Sequence, residues 1–282
     1  MTVSVKSGAV ISLVQLVILL VGINAAPAAA QGGPDSFVVR GGGLVTDFNS
    51  GLRVDLTDTQ HGTTINLEND LGFAKHTGTW FIDGQWRMTD RHRLLGSYVG
   101  VSRDTTKSGI SQPITIRDKT YQIGANVQAF VDTSYLSFDY GFAFVKKPTF
   151  DLLGTIGLTT IKVHTGAGLA VQTTGGANVS RSLDNDSKMT TAFPVPGVHI
   201  TARLNPRFAI TGYTRFIKAT LEGITESSSD GRAGVEVRIV PHVGAGFAYY
   251  YNRVTEEGSR GTFEGKLKYT FHGPQFYGLV GF

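Results

Sequence analysis

From residue 36 onward, apolar and polar residues alternate one for one in many stretches, and helical spacing is nearly absent. In 79–88, Trp80, Ile82, Gly84, Trp86 and Met88 share one face, while Asp83, Gln85 and Arg87 share the other. In 135–145, Leu136, Phe138, Tyr140, Phe142 and Phe144 oppose Ser137, Asp139, Gly141 and Ala143. Val198, Ile200, Ala202 and Leu204 oppose Gly197, His199, Thr201 and Arg203, and Ala233, Val235, Val237 and Ile239 oppose Arg232, Gly234, Glu236 and Arg238. In GTFEGKLKYT (261–270), Phe263, Gly265, Leu267 and Tyr269 alternate with Glu264, Lys266 and Lys268. A period of two is the signature of strands with one apolar and one polar face. In water the apolar face covers a core, whereas in a membrane barrel it meets lipid and the polar face lines the lumen.

The connections separate these two cases. Short turns with Pro or Asp beside a cation lie at 88–92, 145–149, 204–207 and 239–242. Longer polar stretches lie between them, at 49–76, 103–129, 165–190, 222–231 and 255–261. Alternation of short turns with long loops is the layout of an outer-membrane barrel. The marks delimit ten strands, at about 36–48, 77–88, 91–103, 130–145, 149–164, 191–204, 207–221, 231–240, 242–254 and 262–282. Eight or twelve stay open, because 49–67 could form an extra hairpin and the apolar parity of the last segment changes at His272-Gly273-Pro274. A bulge there can exchange faces. The fold expected is all-β: a transmembrane antiparallel up-and-down barrel whose last strand pairs with the first near 37–45. Trp80, Trp86, Tyr98, Phe138, Tyr140, Phe144, Tyr249, Tyr251, Tyr269 and Phe282 fall near strand ends or on outward faces, where interfacial girdles want aromatics.

Composition narrows the picture. Charged residues are 17% against the usual ~25%, and there are 36 glycines in 282 residues. The net charge of +4 is scattered, without the Lys/Arg run that marks a nucleic-acid footprint. Zero Cys excludes disulfides and thiol chemistry. Lys6, the apolar run 11–21 and Ala28-Ala29-Ala30 have the order of a secretory leader, so 1–30 reads as a signal peptide and 31–282 as the barrel domain.

Asn66-Leu67-Glu68-Asn69-Asp70-Leu71-Gly72, Trp86-Arg87 followed by Asp90-Arg91-His92-Arg93-Leu94, and His272-Gly273-Pro274-Gln275 are similar to elements of a family of mostly uncharacterised bacterial outer-membrane β-barrel proteins. The resemblance implies the fold and an outer-membrane location, and it carries no catalytic residues. The final QFYGLVGF, with Phe276, Val280 and Phe282 on one face, looks like the C-terminal signal by which such barrels are recognised for insertion. Outer-membrane lipids and the barrel assembly machinery are the partners this implies, with no nucleic acid, metal or cofactor.

The lumen is expected to be lined by Arg40, Asp83, Gln85, Arg87, Asp139, Asp151, His199, Arg203, Arg215, Glu236, Arg238, Glu264, Lys266 and Lys268. A ten-strand interior is narrow enough for side chains to fill, so opposed charges predict a salt-bridged plug, with a narrow solute path as the alternative. The function expected is a non-enzymatic barrel, structural or weakly pore-forming, with exposed loops. A hydrolase at the outer rim would need a His with a carboxylate or hydroxyl partner, and His61, His76 and His164 are its candidates. A surface-binding barrel is a further alternative. Glu68-Asn69-Asp70 could hold Ca²⁺ through oxygens, but its spacing departs from the known Ca²⁺ loop and suits a hydrogen-bonded turn.

Overall fold

The computed structural model describes residues 35–55, 64–116, 119–169, 185–221, 223–260 and 263–282, so the leader lies outside the described residues. Among these, ten long strands close a barrel: β1 (Phe37–Val54), β2 (His76–Arg87), β3 (His92–Lys107), β4 (Val127–Lys147), β5 (Phe150–Leu169), β6 (Asn185–Arg203), β7 (Phe208–Leu221), β8 (Ile224–Val240), β9 (Val243–Arg260) and β10 (Phe263–Gly281). Each pairs antiparallel with the next, and β10 returns to β1 from Val38↔Gly281 to Val54↔Gly265. Closure gives every strand two partners and leaves no edge. The segment 49–67 does turn back on itself, since Ile65–Asn66 pairs antiparallel with Gly51 and Leu52, but its first arm is the continuation of β1 to Val54, so it adds no strand to the barrel.

The strands reach 21 residues, beyond the ~9–11 that cross a bilayer at a tilt. The extra length extends away from the short turns, and here residues 224–231 and 255–260 of the expected loops 222–231 and 255–261 are strand. Their outward residues are polar, which the sequence alone presents as loop-like.

The expected bulge at His272-Gly273-Pro274 is not there. Its register against both neighbours is continuous, from Leu44↔Gln275 to Asp47↔His272 on β1 and from Tyr249↔Pro274 to Tyr251↔His272 on β9. Odd residues of β10 face inward from Gly265 to Gly281. What changes is the character of each face. Below His272, Phe276, Val280 and Phe282 point outward and are exposed, while Gln275 and Tyr277 are buried inside. Above it, Leu267, Tyr269 and Phe271 are buried inside, and Glu264, Lys266 and Lys268 point outward. Pro274 fits because a missing N–H costs only one rung, and Gly273 is required because a Cβ there would collide with the Val45 carbonyl oxygen. The same height carries Gly231, Tyr251, His272, Asp47 and His76 in one row across four strands and β2.

The upper interior is therefore an apolar core. Phe271 stands at its centre, with ring centroids 5.5 Å from Phe48, 5.7 Å from Tyr250 and 5.8 Å from both Tyr135 and Tyr269. Tyr269, expected on an outward girdle, is fully buried. Residues 65–73 fold into the barrel and bury Ile65, Leu67, Leu71 and Phe73, while Ile110 and Ile114 close over from the β3–β4 connection. One ion pair holds the inserted segment. Glu68 meets Arg103 at 2.8 Å with both side chains almost fully buried. The second Glu68 oxygen accepts the Ser50 N–H at 2.9 Å, Arg103 donates to Ser50 Oγ at 2.8 Å, and the guanidinium lies 4.1 Å from the Phe48 ring centroid. Gly72 leaves the insertion with φ of 73°, a conformation that favours glycine.

Removing one partner of such a pair strands a buried charge, whereas replacing both with apolar residues is often tolerated. Glu68→Ala is expected to cost about 3–5 kcal/mol in urea unfolding of the detergent-refolded protein, and Glu68→Leu with Arg103→Met much less. Equal losses in the two variants would contradict this.

Candidate functional site

Below the apolar core the interior is a charged layer. Arg40 of β1 contacts Glu236 of β8 at 2.6 Å and Asp83 of β2 at 3.2 Å. Arg232 also reaches Asp83, at 2.7 Å. Arg215 of β7 bridges Asp230 at 2.9 Å and Asp139 of β4 at 3.1 Å. Each ion sits on an inward position of its strand, so the alternation that exposes Ile82, Phe138 and Val235 is what turns these groups inside. Arg232 lies 5.4 Å from the ring centroids of both Tyr213 and Tyr277, and His199 stacks on Tyr213 at 5.0 Å. Arginine suits this work, since its fork spans two carboxylates and its plane packs on aromatic faces.

This layer forms the inner end of a cavity of about 1110 Å³. Tyr135, Tyr250 and Asn252 border it from above, and residues of the short turns, among them Arg91, Pro148, Arg207 and His242, line the other end. The chamber thus opens beside the short turns and ends blind under the aromatic core. Arg40, Asp83, Gln85, Arg87, Asp139, Asp151, His199, Arg203, Arg215, Glu236 and Arg238 lie along its wall. Glu264, Lys266 and Lys268 do not. They stand on the outer wall of the upper extension, where water meets the polar face and the apolar face turns in; Lys266 pairs there with Glu257 at 2.8 Å. Their alternation is the same as elsewhere, but the surroundings are reversed.

Sequence reading missed Asp230, Arg232, Tyr213 and the Glu68–Arg103 pair. Asp230 and Arg232 share parity with Glu236, which is the signal that could have placed them. Nothing in the sequence pairs Glu68 with Arg103, 35 residues away.

Two of the three rim candidates, His76 and His164, lie among the described residues. His61 lies outside the described residues. His76 is exposed on the outer face opposite Asp47. His164 points outward with Nδ1 4.0 Å from Asp132 Oδ2, and Ser102 Oγ donates to Asp132 Oδ1 at 2.5 Å. The acid stands between hydroxyl and imidazole, so the imidazole does not sit where it would take the serine proton. Thr165 falls on the opposite face from His164. In the acidic loop, Asp70 accepts the Asn66 N–H and Asn66 Oδ1 accepts the Asn69 N–H, both at 2.8 Å, as a hydrogen-bonded turn requires. Among the described residues no group of three His, Asp or Glu is placed to hold a metal ion.

One further pair of acids lies high in the apolar core. Glu226 of β8 and Glu256 of β9 are opposed in register, both are buried, and Thr191 Oγ1 donates to Glu256 at 2.8 Å. Burial, reinforced by the Glu256 charge, pushes the Glu226 carboxyl up to about 8.

No protein-family model and no curated protein matches the chain. Among solved structures, the outer membrane protease OmpT from Escherichia coli superposes with a TM-score of 0.54 at 9% identity, covering 92% of this chain and 100% of that one. The translocator domain of the autotransporter NalP from Neisseria meningitidis gives 0.43 at 12% identity, covering 98% of this chain and 96% of that one. OprG from Pseudomonas aeruginosa gives 0.32 at 12%, covering 90% and 99%. At these identities the OmpT likeness speaks for the barrel fold.

Because the chain has no Cys, single substitutions report orientation cleanly. In the refolded protein, Lys268→Cys should react with a polar maleimide much faster than Leu267→Cys; equal rates would return Lys268 to the interior. The acid pair makes a second test. Unfolded Glu226 releases its proton near 4.5 while the folded residue holds it to about 8, so stability should fall as pH rises between these values. The urea midpoint measured from pH 5 to 9 should decline in the wild type and decline less in Glu226→Gln.

Proposed function

We propose that this chain is an integral outer-membrane barrel with a sealed lumen, a non-enzymatic wall element that carries loops at one end and a blind charged chamber at the other. The observation that supports it most directly is the coincidence of two inversions at one height. Trp80, Trp86, Phe138, Phe144, Ile156, Leu158, Phe216, Phe247 and Phe276 form an exposed apolar band around the closed sheet. Soluble monomers do not leave so large an apolar surface in water. A bilayer would cover the band and would leave the polar upper wall in water. The inward row above the band is buried and aromatic, which argues against a continuous aqueous path.

The leader at 1–30, the outward Phe276, Val280 and Phe282 as an insertion signal, and recognition by the barrel assembly machinery belong to the same reading. So do bilayer lipids as the partner of the apolar band. OmpT is a protease; what supports the non-enzymatic reading here is that, among the described residues, Asp132 stands between the Ser102 hydroxyl and the His164 imidazole.

Heat-modifiable migration on detergent gels and resistance to carbonate extraction are expected. A protein released freely into the periplasmic fraction would remove the membrane assignment. In planar bilayers the wild type is expected to be silent, while Phe48→Ala with Phe271→Ala, which hollows the aromatic core, should pass current. Steady wild-type conductance would rule out the sealed form.

A further inference from the structure

The charges of the chamber are sorted by depth. In the inner layer Arg40, Arg215 and Arg232 face Asp83, Asp139, Asp230 and Glu236, and each arginine has carboxylate partners. The mouth is different. Asp151 is shared by Lys146 and Arg203, each at 2.8 Å. Arg87 and Arg93 stand opposite one another on β2 and β3. Arg93 is only 2% exposed, and its Nη1 donates to the carbonyls of Thr89 at 2.7 Å and His92 at 3.4 Å. Among the described residues no carboxylate lies within ion-pair distance of it. The charges that act on Arg93 are Asp151, Arg87, Arg203 and Asp90. Arg203 adds a second unfinished group, since its Nη1 is buried without a hydrogen-bond partner.

Arg93, Arg203 and Lys146 thus meet one buried acid, Asp151, while Arg87 beside them pairs with the exposed Asp90 at 3.8 Å. A surplus of positive charge held out of bulk water is costly unless an anion enters. Guanidinium forks match the oxygens of a phosphate bidentately, and a phosphomonoester brings about −1.5 to −2 charge with three acceptor oxygens. A carboxylate offers one charge and two oxygens, which leaves more of the surplus standing. The cavity of about 1110 Å³ has room for the organic part of such a molecule. All these groups sit on the inner wall, which the sheet separates from surrounding lipid headgroups.

We propose that the chamber mouth is a binding site for a soluble phosphate-bearing small molecule entering past the short turns, with its oxyanion held by Arg93 and Arg203 and with Arg87 alongside. This goes beyond the sealed-barrel reading and needs from it only the name of the compartment, the periplasm. Binding by the isolated protein tests the site whatever the outcome of that reading.

The protein is reconstituted in nanodiscs of zwitterionic lipid and titrated calorimetrically with inorganic phosphate and with glycerol 3-phosphate at fixed ionic strength. Saturable binding is expected, weakened about tenfold or more by Arg93→Gln and by Arg203→Gln. It should be partly kept by Arg93→Lys and unchanged by Lys268→Gln on the outer wall. Heat-modifiable migration checks that each variant folds, and Arg203→Gln with Arg93→Lys carries the test if Arg93→Gln does not. No saturable heat into the tens of millimolar, or affinities untouched by the arginine variants, would overturn the site. In a second arm the discs contain phosphatidylglycerol and no soluble phosphate. An arginine-dependent stabilisation seen only there would overturn the soluble source and assign the anion to lipid.

Discussion

A strand in a closed sheet cannot change which residues face inward without breaking its ladder, and the strands of this barrel keep to that over lengths that cross two environments, apart from the register shifts beside two short turns, after Ala143 and after Arg238. β10 keeps one parity for its whole length, with no slip at Pro274. Its sequence accommodates the constraint by exchanging the chemistry of the two faces. Where the apolar residues point out, the lumen is polar, and where they point in, the outer wall carries Lys266 and Lys268. The apolar core, the charged layer and the blind chamber are consequences of that exchange.

The charged layer then does two kinds of work. Its arginines each join carboxylates from other strands, so Arg40 ties β1 to β2 and β8, and Arg215 ties β7 to β4 across the interior. Buried pairs of this kind contribute little net stability against an apolar filling, because both ions lose water. Their geometry does specify which inward positions meet, which a narrow barrel lumen needs. The Glu68–Arg103 pair performs the same service for a segment outside the sheet, fixing residues 65–73 over the top of the core. At the mouth, Arg93 has no carboxylate within ion-pair distance among the described residues and Arg203 keeps one buried N–H group unpaired, and there the chamber stays chemically open.

Much of the fold was legible because a period of two needs only local residues to be read. The alternation at 79–88 and 135–145, the Pro-containing turns and the final strand beside Phe37–Val45 all survive in the structure, and inward positions such as Asp83, Asp139 and Glu236 do face the cavity. The alternation does not say which side is lipid. GTFEGKLKYT alternates as cleanly as TWFIDGQWRM, and reading both with the same sign sent Glu264, Lys266 and Lys268 to the wrong face and Tyr269 to an outer girdle. The inversion at His272-Gly273-Pro274 was visible, but it read as a bulge because a change of apolar parity and a change of surroundings look alike along one chain. Only the row shared by β8, β9, β10 and β1 distinguishes them.

The amino-acid sequence by itself determined the strands and their order and favoured ten of them, since hydrophobic period, turn chemistry and antiparallel neighbours are all local properties; closure of the sheet decided ten against eight or twelve. The tertiary structure decided what lies inside at each height. Contacts such as Glu68 with Arg103, Arg40 with Glu236 and Phe271 with Tyr135 join residues far apart in the chain, and they exist because closure brings strands round to face one another. Closure also sets the sign of each strand's two faces, because only a complete wall has an inside.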